Sequence, residues 1–563
     1  MKKLRWQLII IFLTGLVVGI LLLAEQPAAQ QPGTAPEPVK GGIYTEALVG
    51  SVKRLNPVLD FNNPADHDIN RLIFSRLLRF DGRGVPQKDM AETWGVSQDG
   101  TLYNLTLRPG MLWHDGKPVT SDDVLFTIGL LKNGGSVVPA DIQALWKDVK
   151  VKRLSETVLQ FQLPEPFAPF LDYLTFGVLP KHLLDGQSID ELTNSPFNLQ
   201  PVGSGPYRFD RLISENGQIT GVVLAAYNKY YDKKPYIDQI VFRLYPESAA
   251  AMQAYRDGAV QGISEISNDI LKSALAEPNL AFYTGRKPEL AMILFNLKNT
   301  EKPFFQDATI RKTLLLGLNR QWMIDHILDG QAFLATGPIF PNSWAFYSGL
   351  KQVDFNADAA KNTLKNAGYV LSSEKDTIRK KDAVELSFTL IYPDDDQHRK
   401  LAEAIQKDWA NLNVGVEIEA VPYDELVNDR LGQRDFETAL VDINLARTPD
   451  PDPYPFWDQA QATGGQNYSQ WDNRVASEYL EQARITTDMS ERINLYRNFQ
   501  VIFDDELPAL PLFYPVYTYA VDKQVQGVRM GPLIDRSDRM ATILDWFLVA
   551  QRPTQGITQT PGK

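Results

Sequence analysis

The sequence predicts a mixed α/β chain folded into two or three domains, and three observations lead there. At 563 residues the chain is far longer than one hydrophobic core sustains. Hydrophobic residues make up 44% and charged residues 22%, the usage of an ordinary globular protein rather than of a disordered or multi-spanning one. From Gly41 onward, short β-branched and aromatic runs alternate with longer stretches of helical periodicity.

The N-terminus reads separately. Lys2, Lys3 and Arg5 precede an uncharged apolar stretch from Trp6 to Ala24. At 1.5 Å per residue it reaches about 28 Å, near the hydrocarbon thickness of a bilayer. The basic residues should stay cytoplasmic, which places everything beyond Glu25 outside. The small residues a signal peptidase needs are poorly arranged around Ala24, Ala28 and Ala29. Residues 1–25 are therefore expected to remain as a membrane anchor, the alternative being a secretory signal with an atypical cut. Residues 26–39, with Pro27, Pro32, Pro36 and Pro38 among Ala and Gln, read as a linker that cannot bury enough apolar surface to fold.

Within the body, Tyr103 to Leu107 reads as a strand running into Pro109-Gly110, and Asp115-Gly116 as a turn. A helix should start at Thr120 or Ser121, with Asp122 and Asp123 in the first turn where the helix dipole favours negative charge. Val202-Gly203-Ser204-Gly205-Pro206-Tyr207 should redirect the backbone at a domain crossover; it completes neither a dinucleotide fingerprint nor a phosphate loop. Ile310, Leu314 and Leu318, then Ile324, Ile327 and Leu328, carry helical spacing up to Gly330. Leu386 to Tyr392 reads as a buried strand, and Asp394, Asp395 and Asp396 precede an amphipathic helix through Leu401, Ile405, Trp409 and Leu412. That acidic triplet suits a helix N-terminus, and it lacks the glycine and the terminal glutamate of a calcium loop.

Composition removes several functions. The net charge of -12 opposes a phosphate backbone, so nucleic acid is not an expected partner. With no cysteine there are no disulfides, thiolate nucleophiles, zinc-cysteine sites or lipid-bearing cysteines. The five histidines include no helically spaced pair, and no Gly-x-Ser-x-Gly elbow occurs. Among 69 acidic residues, chance carboxylate pairs are inevitable, so no glycosidase can be argued from them. Neither a catalytic residue, a metal ligand nor a cofactor is expected.

Several segments together resemble family 5 of the bacterial extracellular solute-binding proteins. The first is Leu112 to Thr127, LWHDGKPVTSDDVLFT, and the second Val202 to Phe209, VGSGPYRF, followed by Tyr227-Asn228-Lys229-Tyr230-Tyr231. Further on come Asn319-Arg320 through Pro341, Asp358 to Lys361 with Ala367-Gly368-Tyr369, Leu401 to Val416, Asp450-Pro451-Asp452-Pro453 and Leu507 to Leu512. Any one is weak, but their shared order spans more than four hundred residues.

The resemblance implies a periplasmic-binding-protein-like fold of class II, with three domains making two lobes about a ligand cleft. Domain I would comprise 40–80, 207–287 and 516–550, domain II 81–206 as an inserted extension, and domain III 288–515 as the opposite lobe, with 551–563 a flexible tail. It further implies a monomer outside the membrane that captures a solute, a peptide above all, and delivers it to the permease subunits of an ABC transporter. An oligosaccharide or other non-peptide solute, a sensory subunit and a hydrolase on the same scaffold are the alternatives.

Peptide-binding relatives often place an acidic side chain shortly before the Asp-Pro-Asp stretch to pair with the peptide's amino terminus. Here Leu445 to Pro449 carries Arg447 instead, whose planar donors suit a carboxylate, carbonyl or hydroxyl. Asp442 or Asp450 is left to supply an anion, and Asn444 both a donor and an acceptor. Trp344, Phe346, Phe456 and Trp457 flank irregular proline-containing segments where a ring can stack on a ligand, packing being the alternative. The candidate ligand-binding set is Trp344, Phe346, Asn444, Arg447, Asp450 and Trp457, with Asp452 assigned to the local turn.

Overall fold

The computed structural model describes residues 37–341, 343–445, 448–531 and 533–549. The anchor 1–25, the tail 551–563, Arg447 and all but the last three residues of the 26–39 linker lie outside the described residues. Among the described residues, no helix is long and apolar enough to cross a membrane.

Local chemistry explains several elements directly. The helix Ser121–Lys132 starts on a reciprocal cap in which Asp123 accepts the Thr120 N–H at 2.9 Å. The other oxygen of Asp123 accepts the Lys181 N–H at 2.9 Å, so the capping carboxylate also pins a distant loop. Asp395 caps Asp396–Ala410 by accepting the His398 N–H at 2.9 Å, as the acidic triplet predicts. The periodic stretch from Ile310 to Leu328 becomes two helices, Ala308–Leu316 and Arg320–His326. The break falls at Gly317, and the Asn319 side chain restarts the helix by accepting the Trp322 N–H at 3.1 Å.

The two glycines of Val202–Tyr207 are required by close approach. A Cβ on Gly203 would lie 1.9 Å from the Ile73 carbonyl oxygen, and one on Gly205 2.4 Å from that of Leu72. His114 clasps the same strap: its Nδ1 accepts the Gly203 N–H at 3.2 Å, and Nε2 lies 3.1 Å from the Gly205 carbonyl. A carbonyl can only accept, so Nε2 carries the proton and the ring is neutral. Burial holds its pKa down to about 4.

A 12-stranded sheet forms the backbone of the molecule. Ten of its strands run in the order Gly415–Val421, Ser387–Pro393, Thr438–Asn444, Glu289–Phe295, Ala509–Asp522, Gly262–Ile263, Ile43–Val49, Gln239–Tyr245, Gln218–Ala226 and Tyr207–Glu215, and the other two, Leu280–Arg286 and Ala332–Leu334, pair with Ala509–Asp522. The long strand Ala509–Asp522 ties the two halves together. Its first part pairs with Glu289–Phe295 and its second with Leu280–Arg286, both antiparallel. Lys287-Pro288 and Pro515 lie side by side at the changeover, where the Lys287 N–H reaches the Pro515 carbonyl at 3.0 Å.

Buried apolar residues gather on either side of that crossing. One large core runs from Tyr44 to Phe242 and adds Tyr517 to Trp546, while two others lie wholly between Leu290 and Tyr514. The first core also carries a four-stranded antiparallel sheet, Ala91–Val96, Leu102–Leu107, Val158–Gln162 and Lys150–Arg153. Its expected strand at Tyr103 to Leu107 is the second of these.

Candidate ligand cleft

Side chains from both lobes meet where the turn Ala168–Leu174 faces the irregular chain after Thr438–Asn444. Proline at the start of that turn and the repeated prolines of Asp450-Pro451-Asp452-Pro453 stiffen both backbones. Asp172 Oδ2 accepts the Asp450 N–H at 2.6 Å across this junction. A second bridge runs from the Trp344 N–H to the Arg83 carbonyl at 3.0 Å.

Two cavities adjoin this bridge, of about 640 and 590 Å³. They share Asp141, Asp172, Tyr173, Asn444 and Thr448 in their walls. The larger is walled mainly by the first lobe, including Asp60, His67, Arg71, Arg76, Trp146 and Arg536. The smaller is walled mainly by the second, including His398, Asp442, Asp450, Asp452, Trp457 and Arg484.

The charges between them are closely matched. Asp450 receives both ends of the Arg492 guanidinium, at 2.7 and 3.0 Å, while Arg492 also donates to the Ala483 carbonyl and the Tyr496 hydroxyl. Burial weakens the Arg492 charge, but Asp450 outweighs that and holds its pKa above the ordinary range. Burial, then the neighbouring Asp450, pushes the Asp172 carboxyl well above its ordinary pKa. Asp452 accepts the Tyr454 N–H at 3.1 Å, the local turn bond expected of it, and pairs with Arg484 at 2.9 Å. Burial raises its pKa to about 6.

In the smaller cavity His398 stands between two carboxylates, Nδ1 at 2.6 Å from Asp395 and Nε2 at 3.3 Å from Asp442. Burial opposes its charge, yet the bond to Asp442 and the two negative charges leave its pKa raised. Among the described residues no cluster has the makings of a metal site.

The sequence candidates divide. Asn444 lines both cavities, and Asp450 and Trp457 line the smaller. Trp457 is also packed edge-on against Phe503, ring centres 4.8 Å apart. Trp344 and Phe346 line neither cavity. Trp344 stacks on the Arg492 guanidinium at 4.8 Å and so stands behind Asp450, and Phe346 packs against the second lobe's core. Arg76, Asp172, Tyr173 and His398 were not singled out by sequence. None sits in a distinctive motif, and each reaches the cleft only through tertiary folding.

Residues 85–467 match the family model of the bacterial extracellular solute-binding proteins, family 5 Middle. The chain belongs to that family. It is 26% identical to the dipeptide-binding protein of Escherichia coli K12 over 532 residues, covering 88% of this chain and 94% of that protein. It is likewise 26% identical to the oligopeptide-binding protein AppA of Bacillus subtilis 168, covering 92% and 93%. Among solved structures, HbpA2 of Haemophilus parasuis superimposes with a TM-score of 0.78 at 21% identity, covering 90% of this chain and all of that one. NikZ of Campylobacter jejuni in complex with Ni(L-His) superimposes with a TM-score of 0.67 at 24% identity, covering 90% and 99%. The fold is periplasmic-binding-protein-like, and these relatives are binding proteins rather than enzymes.

Proposed function

We propose that this chain captures a peptide or peptide-like solute between its lobes and hands it to the permease of an ABC importer. The observation that carries the reading is the pair of adjoining cavities, each of a size suited to a small ligand and walled by both lobes. Capture would favour the closed arrangement bridged by Asp172 and Asp450, and closure would present the permease with a different surface from the open form. The three-domain division belongs to the same proposal; the cores parting on either side of Lys287-Pro288 and Pro515 support the separation of domain III, while domains I and II would share one core. So does attachment to the outer face of the membrane through residues 1–25, supported by the length and flanking charge of that segment.

Mass spectrometry of solute released from the purified full chain, with thermal shifts against peptide and oligosaccharide panels, tests the reading. A ligand that binds only the folded form raises the melting temperature by mass action. Peptides are expected among the released solutes, with peptide-induced shifts and no turnover. Shifts from sugars alone, or hydrolysis of a peptide, ester or glycoside, would overturn it.

A further inference from the structure

Among the described residues, the wall of the larger cavity carries five basic side chains, and four of them face an acid. Arg71 pairs with Asp538 at 2.6 Å, and Arg536 with Asp68 at 3.2 Å and Glu265 at 3.6 Å. His67 lies 3.1 Å from Asp60 and 3.5 Å from Asp535, and Lys287 is 3.9 Å from Glu289. Arg76 differs: among the described residues its guanidinium makes no hydrogen bond, ion pair or ring contact.

The backbone around it leaves little freedom. The Arg76 N–H donates to Asp89 Oδ2 at 3.3 Å, its carbonyl accepts the Met90 N–H at 3.0 Å, and a strand-like bridge joins it to Gly177. Asp89 is further engaged by the Tyr231 hydroxyl. Arg76 is therefore a half-buried cation on a cavity wall, its backbone held and its five guanidinium N–H donors meeting no acceptor among the described residues. Burial, helped by the nearby charge of Arg71, brings its pKa down to about 10, so it stays charged at neutral pH. The carboxylates of Asp89, Asp538 and Asp535 favour its charge only from beyond ion-pair distance. A half-buried cation with no hydrogen-bonded acceptor among the described residues is costly, and a planar oxyanion answers both its charge and its fork of donors. Phe176, half-buried on the same cavity wall with Trp146 packed edge-on behind it, offers apolar surface to the neighbouring part of a ligand.

We propose that Arg76 receives a carboxylate of the bound solute. The inference rests on the solute-capture reading above and narrows it: the ligand carries an acid group beside an apolar one. In a peptide, that acid is either the carboxy terminus or an acidic side chain.

The test uses the full chain in detergent, with calorimetry against matched probes. Ala-Ala-Phe is compared with its C-terminal amide, Ala-Glu-Phe-amide supplies the acid from a side chain, and 3-phenylpropionate with 3-phenylpropionamide removes the peptide altogether. The wild type should prefer the acid in a pair by about tenfold or more, the scale of one buried charge-assisted contact. Arg76→Gln should abolish that preference, and Arg76→Lys should retain part of it. Equal affinity for acid and amide together with no gain for Ala-Glu-Phe-amide over Ala-Ala-Phe-amide, or an Arg76→Gln protein that still prefers the acid-bearing probe, would overturn the assignment. Tight binding of the Glu-containing amide alone assigns the carboxylate to a side chain and supports it. If no peptide binds, the peptide reading falls, and the phenylpropionate pair decides Arg76: failure of the wild type to favour the acid overturns the site. The acid-versus-amide comparison on the wild type stands even where a variant does not fold.

Discussion

Two buried charge clusters in this molecule are built differently. In the first lobe Arg539, fully buried, binds Glu46 at 2.7 Å and Asp68 at 2.9 Å. Glu46 is completed by the hydroxyls of Tyr44 and Tyr519, each at 2.9 Å. These groups come from the strand Ile43–Val49, the helix Pro64–Ile73, the strand Ala509–Asp522 and the turn Arg536–Met540. All of these residues lie on one side of the crossing, Tyr519 in the second part of its strand. At the cleft, Arg492 and Asp450 form an equally close pair, but the next bond, from the Asp450 N–H to Asp172, spans the lobes. The first cluster holds the lobe together. The second joins the lobes, so in the proposed capture cycle Asp172 would gain its partner only when the lobes meet.

The comparison breaks most visibly at Arg539. Arg539→Met leaves Glu46 buried without its cation and Asp68 with Arg536 alone, so a loss of about 3–5 kcal/mol is expected in chemical denaturation. Solute affinity of the folded fraction should be unchanged. Combining it with Glu46→Gln should recover part of the loss, because less uncompensated charge remains buried. A small effect of Arg539→Met would mean that the cluster is no structural tie.

Asp450→Asn sharpens the other side. The substitution keeps the backbone N–H that reaches Asp172 but weakens the grip of Arg492, and a stability loss of about 1–3 kcal/mol is expected. Here binding should weaken as well, since Asp450 lines the cavity and positions the inter-lobe bond. Calorimetric affinity alongside denaturation separates the two. Lost stability with intact affinity would make this cluster no different from that at Arg539.

The same contrast marks what sequence can disclose. Thr120 with Asp123, and Asp395 before His398, act within one helical turn, so residue type and spacing suffice to place them. The Gly203 and Gly205 strap is legible as a turn, but its cause is the Ile73 carbonyl, more than a hundred residues away. One apolar period over Ile310 to Leu328 looks the same whether it forms one helix or two, and Gly317 with Asn319 decides it. At the cleft, Asn444, Asp450 and Trp457 stand out because they flank the Asp-Pro-Asp-Pro run. Arg492 and Asp172 do not: a lone arginine in a helix and a lone aspartate in a short turn carry no local signature. Trp344 sits beside the right segment, yet its face is taken by Arg492, a packing outcome that spacing cannot encode.

The smallest expected effect belongs to His398 in the second lobe, held between Asp395 and Asp442. Its pKa is raised on folding, so the native state holds the proton more tightly than the unfolded chain does. Stability from this group is full below the unfolded value of about 6.5 and is lost as pH rises through the folded value. Asp452, raised to about 6 from an unfolded value near 3.8, loses stability in the same direction but in a lower window. Asp172 is raised too, so the slope of the wild type alone does not isolate His398. The difference between wild type and His398→Gln does: glutamine keeps a donor but cannot titrate. Denaturation between pH 6 and 8 should show the wild type losing up to about 1 kcal/mol more than the variant, the scale of a single charge-assisted bond. Asp442→Asn should reduce the same difference, because it removes one of the two charges that favour the imidazolium. Parallel curves for wild type and His398→Gln would show that folding leaves the imidazole's proton affinity unchanged, so that Asp395 and Asp442 give the imidazolium no net stabilisation.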